Sequence, residues 1–367
     1  MRLKQFVLST VAAALLLTGC STDDGAPVLP EPGTDSAAYE NGIIVVNEGG
    51  ITNGNASVSF ISDDLSEVQN AIFNTANGVD AWGDTAQSMA FDGDFGYIVV
   101  SYSQKIEIVN RYTFESIATI GGPGKSEFLN PRYMAIANGK GYVSNWGDPE
   151  NPDDDFVAVI NLESNSVATK IPVGEGPERV LVKDNSIYVA LEGGYNFNTS
   201  VIRIDATSDT VADSITVAEG PNSLQLDAEG NLWILSSGKP AYTEDETAGQ
   251  LNKIDTSNNT VTETYAFSST EHPGYLAYED GLLYYSVAGS IFKMDVSSMT
   301  LPGEATITGT RFYDMTVKDG KLYGADAKDF ASKGALEIYD LSDNSLVTTK
   351  EVGINPGAIY FNGSAVK

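Results

Sequence analysis

Gln87–Phe91 (QSMAF), Arg132–Ile136 (RYMAI), Glu178–Val182 (ERVLV), Asn222–Leu226 (NSLQL), Gly274–Tyr278 (GYLAY), Tyr313–Val317 (YDMTV) and Gly357–Phe361 (GAIYF) are seven diverged copies of one short segment. Most follow a proline (Pro131, Pro177, Pro221, Pro273, Pro356) and run into a turn such as Asp92-Gly93, Asn138-Gly139, Asp280-Gly281 or Asp319-Gly320. A unit of roughly 40 to 50 residues made only of short strands predicts an all-β fold, a seven-bladed β-propeller of four-stranded antiparallel blades.

After each inner strand comes a second one (Tyr97–Val100, Gly141–Ser144, Ile187–Ala190, Leu232–Leu235, Leu283–Ser286, Leu322–Ala325). A third ends in a pair such as Ile160-Asn161, Ile204-Asp205 or Ile254-Asp255, and a fourth follows, as in Thr210–Val217 or Thr260–Ala266. Their alternation of branched and polar residues suits half-buried strands. The first unit, Gly42 to Phe73, has three strands and no inner one, whereas Gly357–Phe361 is an inner strand with nothing after it. Joining the two completes a seventh blade, and the ring then has no exposed edge.

Loop lengths separate the two faces of the disc. Links between second and third strands are long at Glu48–Ala56, Asn145–Asp155, Glu192–Thr199, Ser236–Gly249 and Asp326–Gly334, and so are two blade crossings, Asn74–Ala86 and Gly121–Asn130. These share one face of a propeller, where loops on a rigid scaffold carry function. That face holds Trp82, Trp146, Tyr195, Phe197, Tyr242 and Phe330, while Gln87, Arg132, Tyr133, Arg179, Asn222, Tyr275, Tyr313 and Asp314 stand near the inner-strand mouths. Flat apolar rings mixed with polar tips suit a large ligand bearing amides or hydroxyls. The inner-strand tyrosines also fit packing between blades. Arg132 and Arg179 either meet across the axis as an anion site or pair with blade carboxylates.

Net charge is −29, a field that disfavours nucleic acid and serves solubility. The one histidine, His272, stands just before Pro273 in a blade crossing, so neither a Ser-His-Asp triad nor a multi-histidine metal centre is expected. Asp148, Asp153, Asp154 and Asp155 form an oxygen-rich cluster that could take calcium, without the glycine-interrupted order of an EF-hand, so a solvated acidic loop is the expectation. Gly124-Lys125-Ser126 ends like a phosphate-binding loop, but Thr119 stands where its first glycine belongs.

Residues 1–19 read as an export signal, with Arg2 and Lys4 before the apolar run Phe6–Leu17, too short to span a bilayer. Leu17-Thr18-Gly19-Cys20 resembles a bacterial lipobox, which implies lipidation of Cys20, the only cysteine. Ser21-Thr22-Asp23-Asp24 is similar to the tract that sends Bacteroidetes lipoproteins to the cell surface, and Asp35-Ser36-Ala37 resembles their O-glycosylation acceptor. The expected organisation is a signal over 1–19, a lipidated flexible tether over 20–39 and the propeller over 40–367.

Glu175-Gly176-Pro177 through Ile187-Tyr188-Val189-Ala190 to Val201-Ile202-Arg203-Ile204-Asp205 resembles the repeats of YncE-like, surface-layer-type seven-bladed propellers. Val45-Val46-Asn47-Glu48-Gly49 with Gly54-Asn55-Ala56-Ser57-Val58 resembles a branch of Bacteroidetes surface lipoproteins that includes the BtuG cobalamin-capture family. The resemblance implies a non-enzymatic lipoprotein, anchored in the outer membrane and facing the exterior, that captures cobalamin or a related corrinoid for a TonB-dependent transporter. The alternatives are a protein- or glycan-binding adhesion module and a propeller enzyme, a lactonase or quinone-dependent dehydrogenase, since one fold hosts many activities.

Overall fold

Two-residue alternation sets how each blade packs. In Phe95–Val100, Tyr97 and Val99 point to one face and join Met134, Val143 and Phe156 of the next blade, while Ile98 and Val100 point to the other and join Ile44, Val46 and Phe60 of the preceding one. Strands buried on both faces therefore carry near-continuous apolar runs. Seven such clusters fill the seven gaps between neighbouring blades. The computed structural model describes residues 38–363; the export signal, Cys20, nearly all of the tether and Asp35-Ser36-Ala37 lie outside the described residues.

Seven four-stranded antiparallel sheets form the ring. Blade 2 is Ala86–Asp92, Phe95–Val100, Lys105–Asn110 and Ser116–Gly121; blade 3 is Pro131–Ala137, Lys140–Asn145, Phe156–Asn161 and Ser166–Pro172. Blade 4 is Pro177–Lys183, Ser186–Leu191, Ser200–Asp205 and Thr210–Thr216; blade 5 is Pro221–Leu226, Leu232–Ser236, Gln250–Asp255 and Thr260–Ala266. Blade 6 is Gly274–Glu279, Leu282–Val287, Ser290–Asp295 and Ile307–Thr308; blade 7 is Phe312–Lys318, Lys321–Asp326, Lys333–Asp340 and Ser345–Ile354. Turns follow the residues expected to make them. Asn138 and Gly139 both have positive φ (53° and 70°), the geometry of a two-residue hairpin turn.

Blade 1 closes the ring as the mismatch of the chain ends implies. Pro356–Asn362 pairs antiparallel with Gly42–Asn47, with Val45 opposite Ile359 and Gly42 opposite Asn362, and Ser57–Ser62 and Val68–Gln69 complete the sheet. Asn362 fastens the seam: its amide donates to the Tyr39 and Arg111 carbonyls (2.7 and 2.8 Å), and Arg111 Nε donates back to its Oδ1 (2.6 Å).

One part of the first unit differs from expectation. Its fourth strand stops at Gln69, and Ile72–Asn77 is a short helix, so Phe73 is helical. Ala71 takes a left-handed conformation (φ 56°) that breaks the strand and turns Ile72 and Phe73 inward, where the Phe73 ring lies 4.4 Å from that of Trp82.

Removing the closing strand by ending the chain at Asn355 should leave Gly42–Asn47 as an unpaired edge and cause early, aggregating unfolding on heating. In the full chain, Ile359→Ala should cost about 2–5 kcal/mol in urea denaturation, because it hollows the buried cluster between blades 7 and 1. A truncated chain that melts like the intact one would contradict closure by this strand.

Candidate functional site

The inner strands share a defect at the same place. Their pairing with the second strand shifts between Ala86 and Ser88, Pro131 and Met134, Pro177 and Val180, Pro221 and Ser223, Gly274 and Ala277, Phe312 and Asp314, and Pro356 and Ala358. A bulge re-aims side chains. Here bulged residues from every blade, Gln87, Arg132, Glu178, Asn222, Tyr275, Tyr313 and Gly357, border a central cavity of about 360 Å³. Tyr133 and Arg179, near the same mouths, and Trp146, Glu192 and His272, from the long loops and crossings, line it too. Tyr275 holds a left-handed backbone (φ 57°), uncommon for an aromatic residue and a sign of local strain at the site.

The two arginines pair with carboxylates. Arg132 forms a two-pronged bridge to Glu178 (2.9 and 3.0 Å) with its guanidinium 4.0 Å from the centre of the Trp146 ring. Arg179 bonds Asp314 (3.1 Å) and lies 4.2 Å from the Tyr133 ring. Blades 4 and 7 are not neighbours, so the Arg179–Asp314 bridge crosses the channel. Below it lies a separate void of about 140 Å³ lined by Asp314, Gln225, Thr316 and Tyr360. Arg179 and Tyr275 border both spaces and form a floor between them.

Glu48, the first residue after its strand, is buried and accepts hydrogen bonds from Asn355 (2.6 Å) and Gln87 (3.3 Å), with the Tyr313 hydroxyl at 3.5 Å. Burial raises its pKa to about 7 against the neighbouring Arg132 charge. Burial, reinforced by Glu178, also holds Glu192 well above the usual carboxylate range. Asp155 is raised to about 6, mainly by burial, although the Gly176 N–H (2.6 Å) favours its ionised form.

The remaining sequence candidates fall in three places. Tyr195, Phe197 and Tyr242 border a groove of about 530 Å³ that shares Glu192 and Gly194 with the cavity. Tyr195 and Tyr242 are 61% and 80% exposed. Phe330, 56% exposed, packs edge-on against Tyr313 at 5.4 Å. Trp82 stands apart: it is buried in the core between blades 1 and 2, against Phe73 and beneath Lys105. In the acidic loop, Asp154 accepts from the Asp148 N–H (2.9 Å) and Asp148 from the Glu150 N–H (3.0 Å). Among the described residues no group of three or more His, Cys, Asp or Glu side chains is placed to hold a metal. His272 is bonded to the Ser237 carbonyl (2.9 Å) and to Glu246 (3.2 Å).

Sequence reasoning passed over Glu48, Glu178 and Glu192. The repeat register could have found them: Glu48 and Glu192 occupy the position of Trp146, first after the second strand, and Glu178 the position of Arg132, first after the proline.

The profile of a family described as a domain of unknown function, DUF5074, matches residues 41–326. The chain belongs to that family. The DUF5074 match runs from the first strand of the ring to the second strand of blade 7. No curated protein matches the sequence. Among solved structures, the fold is similar to a quinonprotein alcohol dehydrogenase-like protein from Bacteroides thetaiotaomicron (14% identity, TM-score 0.64, covering 90% of this chain and 80% of that one). It is also similar to hydrazine synthase from Kuenenia stuttgartiensis (14%, 0.58, 89% and 99%) and to a computationally designed protein, Ika8 (8%, 0.55, 89% and 98%). At these identities the likeness is one of fold alone.

Two variants probe the site. Arg132→Ala strands the Glu178 carboxylate in the wall and should destabilise the protein by about 3–5 kcal/mol in urea titrations. Glu48 titrates near 7 when folded against an ordinary value of 4.5, so between those pH values the unfolded chain gives up a proton that the folded one keeps. Stability contributed by this group therefore falls as pH rises from about 4.5 to 7 and is level above that. Glu48→Gln should flatten the decline seen on comparing unfolding midpoints at pH 5 and pH 8.

Proposed function

We propose that this DUF5074 protein is a non-enzymatic capture protein that holds a bulky ligand on its elaborated face. The observation that carries the reading is the union of a walled central cavity with an open groove whose aromatic rim, Tyr195 and Tyr242, is left to solvent. Solvent-exposed aromatic surface next to a polar pocket is what a ligand with flat apolar and hydrogen-bonding parts would cover. Trp146 and Tyr195 already meet edge to face (5.6 Å), forming a wall where cavity and groove join.

The resemblance of the Val45–Gly49 and Gly54–Val58 segments to surface lipoproteins supports cobalamin or a related corrinoid as that ligand. The lipobox-like Leu17–Cys20 supports a lipid anchor on the outer membrane with the propeller facing outward. Handover to a TonB-dependent transporter completes this reading. Against chemistry at the site stands the engagement of its one histidine in two structural hydrogen bonds.

Calorimetric titration of the chain from Ser21 with cyanocobalamin, followed also by corrin absorbance, should give one-to-one binding in the submicromolar range, about −8 kcal/mol or stronger. Trp146→Ala and Tyr195→Ala should each weaken it about ten-fold or more while leaving the fold intact. Absence of binding at tens of micromolar would remove the corrinoid assignment and favour a protein or glycan partner.

A further inference from the structure

Around the central cavity carboxylates outnumber arginines. Arg132 is satisfied by Glu178 and Arg179 by Asp314, which leaves Glu48 and Glu192 as surplus carboxylates. Glu48 is wrapped by amide and hydroxyl donors. Glu192 is different: it is half-buried, among the described residues its carboxylate accepts no hydrogen bond, and it opens onto both the cavity and the groove. Its backbone is fixed by its N–H bond to the Gly176 carbonyl (2.8 Å), so the side chain is held at that junction.

A half-buried carboxylate that no protein donor occupies, open to a cavity, is a ready acceptor for a charged donor on a ligand. The surroundings of Glu192 indicate the missing partner. Tyr275 lines the same cavity, and a carboxylate beside an aromatic ring recognises a protonated nitrogen through a charge-assisted hydrogen bond, with cation–π attraction where the ring is free. A divalent metal would need further ligating side chains, and none is grouped with it among the described residues.

We propose that Glu192 anchors a cationic head, a protonated amine or guanidinium, of the captured ligand in the central cavity, with the ligand body extending along the groove of Tyr195 and Tyr242. The inference rests on the reading of this face as a capture surface, and not on the ligand being a corrinoid. Binding would be coupled to protonation. The groups facing Glu192 are Glu178 and Arg179 from blade 4, Arg132 from blade 3, Tyr275 from blade 6 and His272 from the crossing before it. Glu178 and the burial of the site favour a proton on the empty Glu192, while the arginines oppose it; an arriving cation displaces that proton.

Three probes of one shape separate charge from fit: tyramine, a cation; tyrosol, neutral; and 4-hydroxyphenylacetate, an anion. Calorimetry at pH 7 should show tyramine binding about ten-fold more tightly than tyrosol, with no binding of the anion. Heats measured in two buffers of different ionisation enthalpy should reveal release of a proton. Glu192→Gln, near-isosteric and therefore mild for the fold, should bring tyramine down to the level of tyrosol. Equal binding of tyramine and tyrosol by the natural chain, or an undiminished preference in Glu192→Gln, would overturn the inference while leaving the capture reading intact. Failure of every probe to bind a folded protein at millimolar concentration would count against both.

Discussion

Pairing of Pro356–Asn362 with Gly42–Asn47 is the constraint on which the rest of the ring depends. Each blade buries its two faces against its neighbours, so no blade has a core of its own, and the final gap exists only when the two ends of the chain meet. Repeat stacks gain stability from neighbour interfaces, and a closed ring has no terminal unit lacking one. The fastening is polar as well as apolar. Arg111, from blade 2, both bonds Asn362 and lies over Phe91 at 4.1 Å, so the seam is tied into the adjoining blade.

The same ring geometry explains the charged interior. Seven strand mouths converge on one axis, and the bulges at most of them send a side chain inward, so polar residues there are crowded together. Most satisfy one another, as Arg132 with Glu178 and Arg179 with Asp314. Two carboxylates exceed the available positive charge, and their raised pKa values follow from enclosure among like charges in a chain already strongly acidic.

The fold was legible because prolines and Asn-Gly or Asp-Gly turns punctuate the repeat, and because the incomplete first unit matches the orphan strand at the end. The helix at Ile72–Asn77 was not, since its apolar pair Ile72-Phe73 fits a strand equally well until Trp82 is seen to receive it. Loop aromatics could not be sorted by sequence: Trp82 and Trp146 both stand in long links of the elaborated face, yet one fills the core and the other the cavity wall. The acidic members of the cavity were hidden by abundance. With 50 Asp and Glu residues, Glu48 and Glu192 gain meaning only from their register, and the repeat supplies that register once it is counted from the second strands.

The bridge from Arg179 to Asp314 gives the molecule a topology unlike that of a pore. It spans from blade 4 to blade 7 with Tyr275 beside it, and so divides the axial space into an upper cavity and a smaller void below. If the face captures a ligand as proposed, a protein that receives it would meet it at the upper rim, beside Tyr195 and Tyr242, on the side of the Arg179–Asp314 bridge where the groove lies.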